Sequence, residues 1–240
     1  MSWIAERLET TGRLQTPDEF PEDQSTDEPD WFRADAKATD EEAWIGGWEV
    51  PPDGNTKSAR WFAFQIFKAD FEWAFSKSSP KRVIASLEML ATICCIKLFS
   101  LNSARINNNS TCCLTGSTDN KGNTFIINKL MTTKFPSLLL LLELSETLRS
   151  LKVSLNLRWR NREANVEADQ LTNQDYSSFS PNNRIVVNPV DIKWLVLDRL
   201  QGPAEQLYLD LQTMKKVKLS TVTGNTKTPA AKRLKWRDPW

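Results

Sequence analysis

Histidine is absent from all 240 residues. That absence removes serine–histidine triads, imidazole-ligated zinc and histidine acid–base work together, because each needs the imidazole ring. Cysteine is scarce, with four residues in two adjacent pairs, Cys94-Cys95 and Cys112-Cys113. Neighbouring side chains point in different directions on a helix or a strand, so neither pair makes a two-ligand metal knuckle. All four read as small buried apolar side chains of a reducing compartment. Residues 138–142 are leucine, but the run stops at Glu143, too short to span a bilayer. The opening Met1-Ser2-Trp3-Ile4-Ala5-Glu6-Arg7 lacks the charged-then-apolar order of a secretory leader. These absences lead to the expectation of a soluble intracellular protein, nuclear or cytoplasmic, with no membrane partner.

What remains is an ordinary globular composition, 40% hydrophobic and 25% charged, long enough to bury a sizeable core. The net charge of +1 gives no basic-protein signal for the whole chain, but the charge is unevenly spread. Residues 6–30 are rich in acids and carry Pro17, Pro21 and Pro29, which reads as a linker, residues 1–29, with little core. The far end is basic, with Lys232, Arg233, Lys235 and Arg237 closing a Thr/Lys/Pro-rich tail, residues 217–240, expected to be disordered. A short basic cluster with proline reads as a nuclear import signal, a phosphate-binding tail or simply a solvated end.

Between these flanks the periodicity changes in a definite order. Residues 31–38 and 43–50 read as strands, Pro51-Pro52-Asp53-Gly54-Asn55 is a strong turn, and residues 58–67 alternate aromatic and polar side chains as a third strand. Ser79-Pro80 opens a helix whose apolar positions Val83, Ile84, Leu87, Leu90, Ala91 and Cys94 recur at helical spacing. A short apolar run, Thr111 to Leu114, precedes Asp119 and a helix through Met131. Ser137 is placed to cap a second helix over residues 138–152, residues 153–159 alternate as a strand, and a last helix starts near Ala164. The fold class predicted is α/β, a mixed five-stranded sheet made of a three-strand antiparallel meander plus parallel strands, flanked by helices. Residues 184–187 read as a short extended piece, and residues 191–200 and 204–216 as helices broken at Gly202-Pro203. The domain division is then 1–29 linker, 30–180 core domain, 181–216 helical extension and 217–240 tail.

Asp119 is the first candidate for chemistry, since it falls where a strand's C-terminal end meets a helix, the edge at which open α/β sheets bind ligands. An acid before a helix is also the ordinary N-cap. Three more acids fall at comparable places: Asp35 near the end of the first strand, Glu88 beside the apolar stripe of the first helix, and Asp169 early in the last. Glu88 there is either a snorkelling surface acid or a buried group that needs a cation. Four carboxylates gathered at one sheet edge repel one another unless cations sit between them, and two magnesium ions are the usual solution. Such a pair serves phosphodiester hydrolysis without any histidine.

The set Ala34-Asp35-Ala36-Lys37-Ala38 with Gly46-Gly47-Trp48, residues 84–91 around Glu88, Ser117 to Asn123, and Trp159-Arg160-Asn161-Arg162-Glu163-Ala164-Asn165-Val166-Glu167-Ala168-Asp169-Gln170-Leu171-Thr172 resembles the ribonuclease H domain attached to reverse transcriptases of retroelements, with a last motif most like the DIRS type. The resemblance covers about residues 31–175. It implies a ribonuclease H-like fold and an RNA–DNA hybrid as substrate. Asp35, Glu88, Asp119 and Asp169 would be the catalytic, metal-binding carboxylates for two Mg2+ ions, with Mn2+ as a substitute. It places Asn120, Lys121, Asn123, Arg160, Arg162 and Asn165 toward the nucleic acid, Asn120 and Asn165 near the hybrid backbone or the metal shell. Lys129, Lys134 and Arg158 are further phosphate candidates. It also implies an upstream polymerase domain of the same polyprotein as partner. The chain departs from the family in two ways: many members carry a histidine in the loop that is here Arg160 to Glu163, and Lys37 stands where the proofreading-exonuclease branch has a second acid. The rival reading is a ribonuclease H-like module that binds nucleic acid without cutting it. A recombinase or transposase nuclease on the same fold fits Glu88 less well.

Overall fold

The computed structural model describes residues 29–75, 79–100 and 112–200, with a few helical residues between 202 and 213. The acidic linker (apart from residue 29), most of residues 204–216 and the basic tail lie outside the described residues.

The first three strands form the meander: β1 (Phe32–Ala38) pairs antiparallel with β2 (Ala43–Glu49), and β2 with β3 (Trp61–Ile66). A one-turn helix α1 (Glu72–Phe75) and a 3-10 turn (Pro80–Val83) lead into α2 (Ile84–Ser100). β4 (Cys112–Thr118) then lies parallel to β1, and after α3 (Lys121–Lys129) and α4 (Ser137–Leu151) strand β5 (Val153–Trp159) lies parallel to β4. The sheet order is β3-β2-β1-β4-β5, and a last short helix, α5 (Val166–Thr172), packs against β1 and β2. The architecture is therefore the mixed five-stranded sheet with flanking helices that the sequence pattern predicts.

α2 is the central pillar. Leu87, Met89, Leu90, Ile93, Cys94, Cys95, Ile96 and Phe99 are all fully buried, so the helix is apolar nearly all round and is enclosed by β1, β2 and α4. Residues 80–100 are long and apolar enough to cross a membrane by composition, but here that apolar surface is buried inside the domain. The helix reaches the sheet closely because Gly47 has no side chain: a Cβ there would stand 2.3 Å from Cys95 Sγ. Gly116 on β4 does the same for the Phe32 ring, which a Cβ would meet at 2.2 Å. On the opposite sheet face a smaller core gathers Trp48, Trp61, Ala168, Leu171 and Phe179, where the chain after α5 folds back over β2 and β3. Arg184 lies over both Trp61 and Tyr176, at 5.1 and 5.0 Å from their ring centroids.

Local expectations are corrected at several points. β4 ends at Thr118, one residue short of Asp119, and its polar residues 115–118 are buried and held by pairing with β5. Ser137 does not cap α4; its hydroxyl meets that of Ser86 at 2.9 Å, and Pro136 occupies the cap position. Cys94 and Cys95 are buried as expected, but Cys113 is exposed because it points away from the core near the start of its strand. Asp191 closes a 3-10 turn (Pro189–Asp191), residues 192–196 are not helical, helix resumes only at 197, and of residues 184–187 only Arg184 bridges to a strand, at Trp61.

One carboxylate that the sequence reading passed over as the end of a leucine run turns out to hold the C-terminal segment. Glu143 on α4 is 0% exposed and accepts the backbone N–H groups of Leu195, Val196 and Leu197 at 2.7–3.0 Å, with Lys97 at 2.9 Å. Burial alone pushes its proton affinity up, but the backbone donors and Lys97 outweigh burial and leave its pKa below the usual value. Removing the carboxylate takes the acceptor from three N–H groups and the counter-ion from Lys97, so Glu143→Ala should destabilise the fold by about 3 kcal/mol. Urea unfolding measures this, and a loss below about 1 kcal/mol would contradict the account.

Candidate active site

β1 and β4 run parallel side by side, with Arg33 opposite Ser117. Two residues further along each strand come Asp35 and Asp119, so adjacent parallel strands deliver both acids to one C-terminal edge. Asp35 is 6% exposed, and Thr172 at the end of α5 donates to its Oδ2 at 2.9 Å. Asp119 sits just past β4, half-buried. It is not the helix cap, because Asn120 takes that role by accepting the Asn123 N–H at 3.0 Å, which leaves the Asp119 carboxylate for other use. Glu88 lies one turn into α2 and is 8% exposed, so it is a buried group and not a snorkelling one. Asn123 on α3 donates to Glu88 Oε2 at 3.4 Å and to the Ala85 carbonyl at 2.7 Å.

Asp169 comes from α5 on the other side. Arg162 Nη2 donates to its Oδ1 at 2.6 Å, and Asn173 Nδ2 to its Oδ2 at 2.7 Å. Asn173 in turn accepts from Lys37 Nζ at 2.7 Å. The four acids thus come from four elements far apart in sequence, and their fields overlap. Burial first, and then repulsion by Asp119, raises Asp35 from 3.8 to about 7. The same two causes in the same order raise Glu88 from 4.5 to about 8, with hydrogen bonds from Asn120 and Asn123 opposing. Asp119 is itself raised by burial, with Arg162 pulling it down and Asp169 pushing it up. Asp35 and Asp119 are central to this field, with Glu88 and Asp169 on its flanks.

The donor set is all oxygen, which suits a hard divalent cation, and the mutual repulsion is of the kind a cation relieves. In donor chemistry the residues fit magnesium or manganese. Among the described residues, however, no three Asp, Glu, Cys or His side chains close on a single ion position. Asp169 is bound to Arg162 and Asn173, and Glu88 to Asn123.

The nucleic-acid candidates separate into two kinds. Lys121 is exposed and stands over the ring of Trp159, 5.6 Å from its centroid, and Trp159 is itself exposed beside the Asp119 carbonyl. Arg162 is exposed, and Asn120 half-buried at its cap. Asn123 and Asn165 are both 1% exposed, the Nδ2 of one donating to Glu88 and Ala85 and that of the other to the Ala34 carbonyl at 3.3 Å, so their amides help position β1, α2 and α5. Arg160 is also drawn inward, paired at 2.7 Å with Asp30, whose side chain is 1% exposed and also meets Arg33. Sequence reasoning missed Thr172 and Asn173, although Thr172, three residues after Asp169, stands in the motif itself.

No family model matches the sequence, and no curated protein matches it. Among solved structures the chain is similar to ribonuclease H1 from the halophilic archaeon Halobacterium salinarum, at 14% identity and a TM-score of 0.41, over 61% of this chain and 96% of that one. It is similar to LC11 ribonuclease H1 in complex with an RNA/DNA hybrid, at 16% identity and a TM-score of 0.44, over 60% of this chain and 93% of that one. It is also similar to the N-terminal ribonuclease H domain of a Mycobacterium tuberculosis protein, at 16% identity and a TM-score of 0.41, over 61% and 94% of the two chains.

The raised acids make the cation-free protein sensitive to pH. Between about pH 4 and about pH 8 the folded chain holds protons on Asp35 and Glu88 that the unfolded chain has released. Stability must therefore fall as pH rises through that window. Thermal melts in chelator should show a lower Tm at about pH 8 than at about pH 5, and Asp35→Asn should flatten the slope. A Tm that rises with pH, or an unchanged slope in the variant, would show that these groups are not repelled in the fold.

Proposed function

We propose that this chain is a metal-dependent endonuclease that hydrolyses the RNA strand of RNA–DNA hybrids, within a retroelement reverse transcriptase. The observation that carries the reading is the meeting of Asp35, Glu88, Asp119 and Asp169, from β1, α2, the end of β4 and α5, in one shared electrostatic field at the sheet edge. The last motif, Arg162 to Thr172, supports the retroelement assignment and an upstream polymerase domain as its partner. Residues 30–180 would form the catalytic domain, with residues 181–216 as its extension.

Asp35, Glu88, Asp119 and Asp169 would hold two Mg2+ ions, or Mn2+ in their place. When bound, such ions activate water and stabilise the charge that develops on the phosphodiester. The chain supplies the rest. Asn123 and Thr172 orient Glu88 and Asp35 by hydrogen bonds, so those carboxylates enter the reaction already aimed. Lys121 and Asn120 at the start of α3 face the phosphate backbone, and Trp159 offers an exposed ring beside them. Recognition would follow hybrid shape and charge, without reading bases. With no histidine in the Arg160–Glu163 loop, proton transfer to the leaving oxygen falls to solvent or to Glu163.

The same missing histidine, together with the engagement of both Asp169 oxygens, favours a second reading: a ribonuclease H-like module that binds the hybrid and leaves it intact. A labelled RNA–DNA hybrid separates the two. The enzyme reading expects magnesium-dependent cuts within the RNA strand, reduced at least about 100-fold by Asp119→Asn. Cleavage equal in wild type and variant, or binding with no cleavage, would reject the enzyme.

A further inference from the structure

We propose that Arg162 is a tethered counter-ion of the acid cluster, which a divalent cation must displace from Asp169 before the site can load. The inference rests on the reading of the four acids as cation ligands. Its basis is geometric: the guanidinium holds Oδ1 of Asp169 at 2.6 Å while Asn173 holds Oδ2 at 2.7 Å, so each carboxylate oxygen already carries a donor that a cation would have to compete with. Lys37, on β1 two residues past Asp35, backs Asn173 at 2.7 Å, a second positive charge one step removed.

Arg162 is suited to letting go. It lies on the 3-10 turn (Arg162–Ala164) between β5 and α5, its side chain is 74% exposed, and among the described residues Asp169 is the only side chain that holds it. An ion pair this open to water is weak, and a doubly charged ion competes for the same oxygen with twice the charge. The field of the guanidinium also reaches Asp35 and Asp119. Arg162 therefore offsets part of the repulsion that would otherwise act among three of the acids, and releasing it to solvent returns that repulsion to the incoming cation. Once released, a guanidinium at this rim is free to pair with a phosphate. The chain thus carries its own competitor for the metal, located where related domains carry a histidine.

The test is calorimetric titration of the full chain with Mn2+ and no nucleic acid, so that turnover plays no part. Arg162→Gln should bind Mn2+ about fivefold more tightly than wild type. Lys121→Gln removes a charge of equal sign at the same rim that is paired with an aromatic ring instead of an acid, and should change the affinity less than about twofold. Equal affinity in wild type and Arg162→Gln, or an equal gain in both variants, overturns the proposal while leaving the cation site in place. Failure of every form to bind Mn2+ overturns the cation site as well. Should Arg162→Gln lose its cooperative melt, Asn173→Ala frees the other oxygen of Asp169 and should tighten binding by about twofold; no gain there overturns the displacement.

Discussion

Repulsion among carboxylates held at one sheet edge is the constraint on which the rest of this molecule turns. Asp35 and Glu88 are nearly buried, and the charge of Asp119 bears on both. Left to itself such a cluster would separate or stay protonated. It stays together because each acid is fixed by an element whose position is decided elsewhere: two parallel strands, a helix buried on all sides, and a short helix clamped against β1.

That fixing is a matter of close approach. α2 brings Glu88 to the edge because Gly47 lets the helix lie against β2, with Cys95 filling the space a side chain would take. α5 is held to β1 through the buried Asn165 amide on the Ala34 carbonyl and through Thr172 on Asp35. At the far side of the domain Glu143 gathers three backbone N–H groups and Lys97, so the chain beyond α5 is bound to the outer helix. The buried acids thus receive opposite treatment. Glu143 is given donors enough to stay charged, whereas Glu88 and Asp35 are given too few, and that shortage of donors is what a cation would supply.

Much of this was legible in the chain before any coordinates. Alternation at residues 153–159 and the helical stripe from Val83 mark β5 and α2 because side chains follow the period of the backbone that carries them. The order of strands and helices then restricts the sheet to few arrangements. The four acids stand out as candidates in the same way, at strand ends, beside an apolar stripe or early in a helix. Residues 115–118 carry little strand signal of their own, because a polar sequence, Thr-Gly-Ser-Thr, is kept in a strand by its pairing with β5 and not by its own hydrophobicity. That the Asn123 and Asn165 amides turn inward was not legible, because an amide near a motif says nothing about whether it faces water or a neighbouring carbonyl.

Local composition and period therefore determined which segments become strands and helices and which acids fall at their ends, since those properties depend on a residue and its near neighbours. Tertiary structure decided the rest: which carboxylates share a field, which amides turn inward, that Asp30 captures Arg160 while Arg162 is left to hold Asp169 at the rim. Most of those outcomes depend on distances between residues well separated along the chain, 137 positions for Asp35 and Thr172, and distances of that kind exist only once the sheet has formed and the helices have packed upon it.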